Sequence, residues 1–136
     1  VGSTVFAHGG LHPSHVRYGL DRMNGETRSW IEGTGERKAL WFLNAKEAVI
    51  WSRVYSVQGK EECTMLEKTL QMIEGSVQRL VVGHTVQQPM GINGACSDQV
   101  YRIDIGMSSG MYDAEPEILE IIDDGREVRK VTFQSN

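Results

Sequence analysis

Residues 79–85, R-L-V-V-G-H-T, contain a short apolar run that ends abruptly at a glycine and a histidine. The stretch T-V-F-A-H-G-G (4–10) repeats this pattern near the start of the chain. Short β-prone runs that end at glycine are typical of buried strands in an α/β sheet. The two stretches therefore predict buried strands over 4–7 and 79–82, each with a histidine close behind it.

The segments between and after these strands predict further elements. One helix is expected to open at Pro13, and a second spans Glu61–Glu74 and ends at Gly75. The second helix carries its apolar face at spacings of 3, 4 and 3 residues: Cys63, Leu66, Leu70 and Ile73. Additional strands are expected over 48–51, over 100–105, and in a C-terminal hairpin of 118–122 with 127–133. This order predicts an α/β fold with mixed sheets.

The composition argues against several classes of protein. The 136 residues carry 14 Lys and Arg against 18 Asp and Glu, a formal charge of −4, and the sequence pI is about 5.5. An acidic chain lacks the basic face expected of a nucleic-acid binder or of a protein that docks on anionic membranes. No apolar run approaches the roughly 18 residues needed to cross a bilayer. We therefore expect one globular domain without nucleic-acid or membrane partners.

The two cysteines, Cys63 and Cys96, form neither a C-x-x-C motif nor a zinc-binding pattern. Two free thiols are the favoured interpretation, and a single disulfide is the alternative. Free thiols are typical of a reducing compartment, so they favour a cytoplasmic location.

Three side chains at predicted strand ends form the candidate site. Ligands of open α/β sheets bind beyond the carboxyl ends of the strands, where His8, Arg53 and His84 are predicted to lie. Neutral imidazole is a common metal ligand, and a guanidinium can hold a phosphoryl group through two parallel hydrogen bonds. Neighbouring glycines would leave room for a metal ion or a phosphate near the backbone. This combination indicates a metal site that handles phosphate.

A structural interpretation of the same residue types stays open. A histidine at a strand end can be a hydrogen-bonded part of the core, and Arg53 can lie along the indole of Trp51. His12 and His15 flank a helix start, where structural or solvent-facing roles are expected. Asp104 alternates with apolar residues and is expected on a solvated face.

Four ordered stretches of the chain resemble a known family. They are V-F-A-H-G-G-L (5–11), I-W-S-R-V-Y-S (50–56), V-V-G-H-T-V-Q (81–87) and R-I-D-I-G-M-S-S-G (102–110). Together they resemble the C-terminal half of the calcineurin-like metallophosphoesterases, and most of all the Shewanella-like branch of the phosphoprotein phosphatases. H-G-G-L alone is a weak signal, whereas the ordered set is specific and covers nearly the whole chain.

This resemblance implies a β-sandwich flanked by helices (α-β-β-α), with two divalent metal ions, Mn, Fe or Zn, at one edge. On that pattern His8 and His84 are metal ligands, Arg53 binds phosphate, and Tyr112 lines the rim of the site. The implied reaction is hydrolysis of a phosphorylated protein by attack of a metal-bound hydroxide on phosphorus. Hydrolysis of a small phosphoester or of a dinucleoside polyphosphate is the alternative within the enzyme class.

The family's N-terminal motifs are absent from this sequence. These motifs, G-D-x-H-G, G-D-x-x-D-R-G and G-N-H-E, supply the aspartates, the asparagine and the acid histidine. Residues 1–136 therefore resemble a single partial domain whose N-terminal half is missing, and we expect no catalytic residue within it. The chain alone is expected to show little or no phosphatase activity and to expose sheet surface. A catalytically dead binding module is the alternative if the natural protein begins at Val1.

Overall fold

The computed structural model describes residues 1–36 and 38–133, and in these residues it has six strands and four α-helices. Along the chain they are β1 (Thr4–Ala7), α1 (Pro13–Tyr18), α2 (Leu20–Ile31), α3 (Trp41–Asn44), α4 (Lys60–Gln71), β2 (Arg79–Val82), β3 (Asn93–Ala95), β4 (Val100–Arg102), β5 (Glu117–Ile122) and β6 (Glu127–Thr132). A 3₁₀ turn over Asp123–Gly125 joins β5 to β6. The predicted mixed α/β class is confirmed.

The strands form a four-stranded mixed sheet and a separate hairpin. The order in the sheet is β1-β2-β4-β3, in which β1, β2 and β4 run parallel and β3 is antiparallel to β4. β5 and β6 pair antiparallel, as the hairpin prediction requires. Because β1 and β2 are parallel neighbours, the histidines that follow them meet at one edge of the sheet.

One face of the sheet carries the hydrophobic core. Leu80 of β2 lies opposite Val100 of β4, and both side chains are fully buried. Leu66 and Leu70 of α4 belong to the same buried cluster. The predicted apolar face of this helix is thus confirmed, although the helix ends three residues earlier than expected, at Gln71.

The opposite face of the sheet is open at Phe6. This side chain lies within β1 and is 55% exposed, and Ile103, which follows β4, is 39% exposed. Among residues 1–36 and 38–133, no strand pairs with the second edge of β1. An uncharged edge strand beside an exposed aromatic side chain is a surface that favours association. We expect such a surface on a partial domain. That residues 1–136 are a partial domain stays a prediction.

The predicted strand over 48–51 is wrong, because these residues form consecutive turns. The amides of Trp51 and Ser52 both donate to the carbonyl oxygen of Ala48. Ala48 is fully buried, whereas Trp51 at the other end of the run is 55% exposed. Four apolar residues are too few for periodicity to separate a buried strand from a buried turn. Arg53 consequently does not follow a strand.

Other element boundaries also differ from the sequence-based expectation. The helix that opens at Pro13 breaks at Gly19, where φ is +106°, and resumes as α2. Glycine alone adopts this backbone region without steric cost. The strand predicted over 100–105 ends at Arg102. In the part of the chain that the structure describes, no helix has the length and apolar character needed to cross a membrane.

The two cysteines form a disulfide, so the expectation of free thiols is wrong. Cys63 lies in the first turn of α4 and Cys96 directly follows β3, with 5.1 Å between their Cα atoms. Helical spacing placed Cys63 on the buried face of α4 but gave no indication of which residue it meets there. The expected cytoplasmic location depended on free thiols, so this observation removes its basis.

Candidate functional site

His8 and His84 meet at the carboxyl edge of the sheet. His8 directly follows β1, and His84 lies two residues after the end of β2. His8 Nε2 and His84 Nδ1 are 3.2 Å apart, within hydrogen-bonding distance. The amide of Gly83 donates to the carbonyl oxygen of His8 at 2.9 Å, which continues the pairing of the two strands into the loops. The parallel register therefore brings the two predicted ligands together.

His84 occupies a tight turn with an unfavourable backbone conformation. The amide of Thr85 donates to the carbonyl oxygen of Gly83 at 2.8 Å, and φ of His84 is +65°. A γ-turn with positive φ at its central residue is rare and strained for any residue except glycine. Within the described residues, Nε2 of His84 is buried without a hydrogen-bond partner. Backbone strain and an orphaned nitrogen at one residue point to a function other than packing.

The environment of His84 favours the neutral imidazole. Burial lowers the pKa of His84, and electrostatic interactions with Arg53 and His8 lower it further, whereas Asp104 opposes the shift. A neutral ring keeps a lone pair that can bind a metal ion at neutral pH.

Arg53 lies beside the two histidines although it does not end a strand. Its Nη1 donates to Thr85 Oγ1 at 2.8 Å and to the carbonyl oxygen of His84 at 3.4 Å. Among the described residues the arginine forms no stacked contact with Trp51, whose ring instead meets His84 edge-on at 5.6 Å. The structure thus places Arg53 close to His8 and His84, as the sequence predicted. Arg53 reaches this position from a turn, and not from the end of a strand.

The glycines after His8 are required by a neighbouring segment of the chain. The amides of Gly9 and Gly10 both donate to the carbonyl oxygen of Val49, at 2.7 and 3.2 Å. A Cβ atom on Gly9 would lie 2.7 Å from the carbonyl oxygen of Ser52. The expectation that these glycines leave room for a metal ion or a phosphate is therefore wrong for Gly9, because the turn that carries Arg53 occupies the space.

Substitution of Gly9 is expected to loosen the site. Gly9→Ala should lower the free energy of unfolding by about 1–3 kcal/mol, because backbone atoms must move to admit the methyl group. Gly25→Ala is the matched control, since nothing lies within 4 Å of a Cβ there and the residue is inside α2. That control should raise stability by up to about 1 kcal/mol. Urea unfolding measures both, and equal effects of the two variants would contradict this account.

His12 and His15 have structural positions, as expected. His15 is 1% exposed, its ring stacks on Trp41 at 5.3 Å, and burial lowers its pKa to about 4. His12 Nε2 lies 2.8 Å from Ser52 Oγ, a contact across 40 residues of sequence. No local pattern identified Ser52 as a partner, because this contact exists only after the two loops have packed together.

Asp104 and Tyr112 lie on the loop that flanks the H-T-V segment. Asp104 is half-buried rather than on a solvated face, and its Oδ1 accepts the amide of Gly106 at 3.2 Å. Tyr112 is 52% exposed and packs over Gly106, beside Val86. A rim position for Tyr112 stays a prediction, since its ring lies beside Gly106 and Val86.

The histidine pair fits part of a metal site. Imidazole nitrogens are suitable ligands for Mn, Fe or Zn. Within the described residues, Nε2 of His84 has no hydrogen-bond partner that would compete for its lone pair. Over residues 1–36 and 38–133, no group of three or more His, Cys, Asp or Glu side chains converges on a metal position. The described residues therefore bring two candidate ligands together and no third.

Comparisons with known proteins agree with the resemblance read from the motifs. No protein-family model matches the chain. Shewanella-like protein phosphatase 2 from Arabidopsis thaliana is 47% identical over 124 residues, which cover 89% of this chain and 31% of that protein. Shewanella-like protein phosphatase 1 from Plasmodium berghei (strain Anka) is 32% identical over 115 residues, which cover 79% of this chain and 31% of that protein. The chain thus spans about a third of the length of these curated relatives.

A solved structure shares the fold. It is described as a new structure of a cold-active protein tyrosine phosphatase at 1.1 Å, and it matches 98% of this chain and 40% of its own with a TM-score of 0.61. Its sequence identity is 21%, so the likeness concerns the fold alone. By sequence, this chain is a homologue of the Shewanella-like protein phosphatases.

Proposed function

We propose that this chain supplies two metal ligands, His8 and His84, and a phosphate-binding residue, Arg53, to a metal-dependent protein phosphatase. The observation that carries the proposal is the meeting of these three side chains at one edge of the sheet. The names of the relatives support the same activity.

The two histidines would hold metal ions through neutral imidazoles. The lowered pKa of His84 supports this role, because a protonated ring cannot be a ligand. When bound, divalent metal ions would polarise phosphoryl oxygens and lower the pKa of water. The chain's own contribution is to hold both rings at a fixed separation, through the parallel strands and the bond from Gly83 to His8.

Arg53 would bind and orient the phosphoryl group. A guanidinium carries five N–H donors, and Nη1 of Arg53 already donates to Thr85 and to the His84 carbonyl. The proposed phosphate donors are the remaining N–H groups of the same planar fork, which matches the geometry of phosphate oxygens. Lysine offers a single charged point without that geometry.

The remaining ligands would come from residues that this chain lacks. Two imidazoles do not complete a metal pair, and the aspartate-bearing motifs implied by the resemblance are absent from the sequence. We therefore propose that residues 1–136 are part of one phosphoesterase domain that needs its N-terminal half. The exposed Phe6 supports this proposal, as does the outer edge of β1, with which no strand in the described part of the chain pairs.

A phosphorylated protein is the proposed substrate. The relatives are named protein phosphatases, and the fold neighbour is named a protein tyrosine phosphatase. His8 and Arg53 are both exposed, so they present an open edge that a protein-borne phosphate can approach. The net charge of −4 gives no support for a nucleic-acid substrate.

The test measures phosphate release by the natural protein, expressed from its whole gene, with and without Mn²⁺. We expect Mn²⁺-dependent hydrolysis of phosphopeptides, faster turnover of these than of diadenosine tetraphosphate, and loss of activity on chelation. The 136-residue chain alone should hydrolyse little or no p-nitrophenyl phosphate. Absence of metal-dependent release from the natural protein would contradict the proposed activity. Robust turnover by the 136-residue chain would contradict the partial site.

A further inference from the structure

A side-chain hydrogen bond ties the loop after His8 to the turn that carries Arg53. His12 Nε2 and Ser52 Oγ are 2.8 Å apart. Ser52 is 3% exposed and is the residue before Arg53, which is exposed. The bond therefore anchors the buried residue that directly precedes the exposed Arg53.

Both partners of this bond are themselves held in place. The amide of His12 donates to His15 Nδ1 at 3.0 Å, and the buried ring of His15 stacks on Trp41. On the other side, the amide of Ser52 donates to the carbonyl oxygen of Ala48 at 2.9 Å. A hydrogen bond between two anchored groups fixes their relative position at little further cost in conformational entropy.

The backbone contacts between the two loops lie farther from Arg53. Gly9 and Gly10 bond to Val49, which is four residues before Arg53, whereas Ser52 is adjacent to it. Beyond Ser52, the carbonyl oxygen of Arg53 accepts bonds from the amide and the hydroxyl of Ser56, and the guanidinium donates to Thr85 and to the His84 carbonyl. The segment that carries the arginine is thus held at Ser52 and at Ser56, and its guanidinium is held at Thr85 and His84.

We propose that His12 and Ser52 are positioning residues, which act through Arg53 to hold its guanidinium where the phosphate binds. This proposal rests on the proposed function for the identity of the ligand. The claim that loss of the Ser52 hydroxyl increases the mobility of Arg53 depends only on the geometry.

The experiment measures binding of inorganic phosphate to the natural protein by calorimetry. Ser52→Ala is expected to weaken binding about five-fold, which is the order of one net hydrogen bond. Thr27→Val is the matched control, because it removes a half-buried hydroxyl that donates to Met23 O at 2.7 Å within α2. The control should lose comparable stability and keep its phosphate affinity.

Repeating the measurement in an Arg53→Ala protein separates a positioning role of Ser52 from a general loss of stability. In an Arg53→Ala background, Ser52→Ala should weaken phosphate binding no further, because the group through which it acts has gone. His12→Leu should weaken phosphate binding in the same direction as Ser52→Ala but less, because Ser52 Oγ also accepts the amide of Val54 at 3.4 Å. His12→Gln should restore most of the affinity, since its amide can reach the place of Nε2. An undiminished effect of Ser52→Ala without Arg53, or no effect with it, would overturn the proposal.

Motion of Arg53 is the readout that does not depend on the proposed function. Relaxation of the Arg53 Nε–H signal by NMR should show greater mobility in Ser52→Ala than in the natural protein or in Thr27→Val. If the natural protein binds no phosphate while this difference is present, the proposed function fails and the positioning role stands. Equal mobility in all three proteins overturns the positioning role, whatever the phosphate affinity.

Discussion

Reduction of the Cys63–Cys96 disulfide is expected to lower the free energy of unfolding by about 4 kcal/mol. The bond closes a loop with a sequence separation of 33 residues. Cross-linking a loop of that length removes a large part of the conformational freedom of the unfolded chain. The effect should therefore be among the largest that any single covalent change can produce here.

The position of the bond adds to this expectation. It joins α4 to the turn between β3 and β4, and so links a core helix to the sheet. Cys96, Ser97 and Asp98 in that turn all have positive φ, from +53° to +61°. Three consecutive non-glycine residues in this region cost free energy, and the disulfide restrains the turn that contains them.

Urea unfolding in oxidising and in reducing buffer measures the effect. The Cys63→Ala/Cys96→Ala protein is the control, because a reductant has no bond to break in it and should leave its midpoint unchanged. The reduced natural chain should resemble this control in stability, apart from the two lost sulfur atoms. Identical midpoints for the natural chain in the two buffers would show that the bond is absent in solution or does not stabilise the fold.

The features that could be predicted from sequence were those set by local pattern. β1 and β2 appear as apolar runs that end near glycine, and the C-terminal hairpin follows from its Asp-Asp-Gly turn. The meeting of His8 and His84 follows from the same logic, because parallel neighbouring strands bring their ends together.

The features that escaped prediction depend on tertiary packing. The segment over 48–51 buries Ala48 and bonds to the H-G-G loop through Val49, and no local pattern distinguishes such a turn from a strand. Arg53 was expected at the site because the sequence predicts a strand before it, whereas it follows a turn that bonds to Gly9 and Gly10. The pairing of Cys63 with Cys96 likewise joins residues whose proximity only the folded chain creates.

Replacement of His84 is expected to separate stability from function. Its φ of +65° costs free energy that a glycine would not pay, and its buried Nε2 has no hydrogen-bond partner among the described residues. The free energy of unfolding of His84→Gly should therefore be no more than about 1 kcal/mol below that of the natural protein, because relief of strain offsets the lost contact to His8. If His84 is a metal ligand, the same change should weaken Mn²⁺ binding by more than the roughly 10- to 100-fold that loss of an outer-shell partner costs.

His84→Ala completes the argument, because it removes the ring and keeps the strained backbone. It should match His84→Gly in Mn²⁺ affinity, measured by calorimetry on the natural protein, but unfold at a lower urea concentration. A histidine retained for packing gives the opposite pattern, in which both variants lose stability and neither changes metal affinity. Stability that survives in His84→Gly while metal affinity falls would show that the strained turn is maintained for the sake of the imidazole it presents.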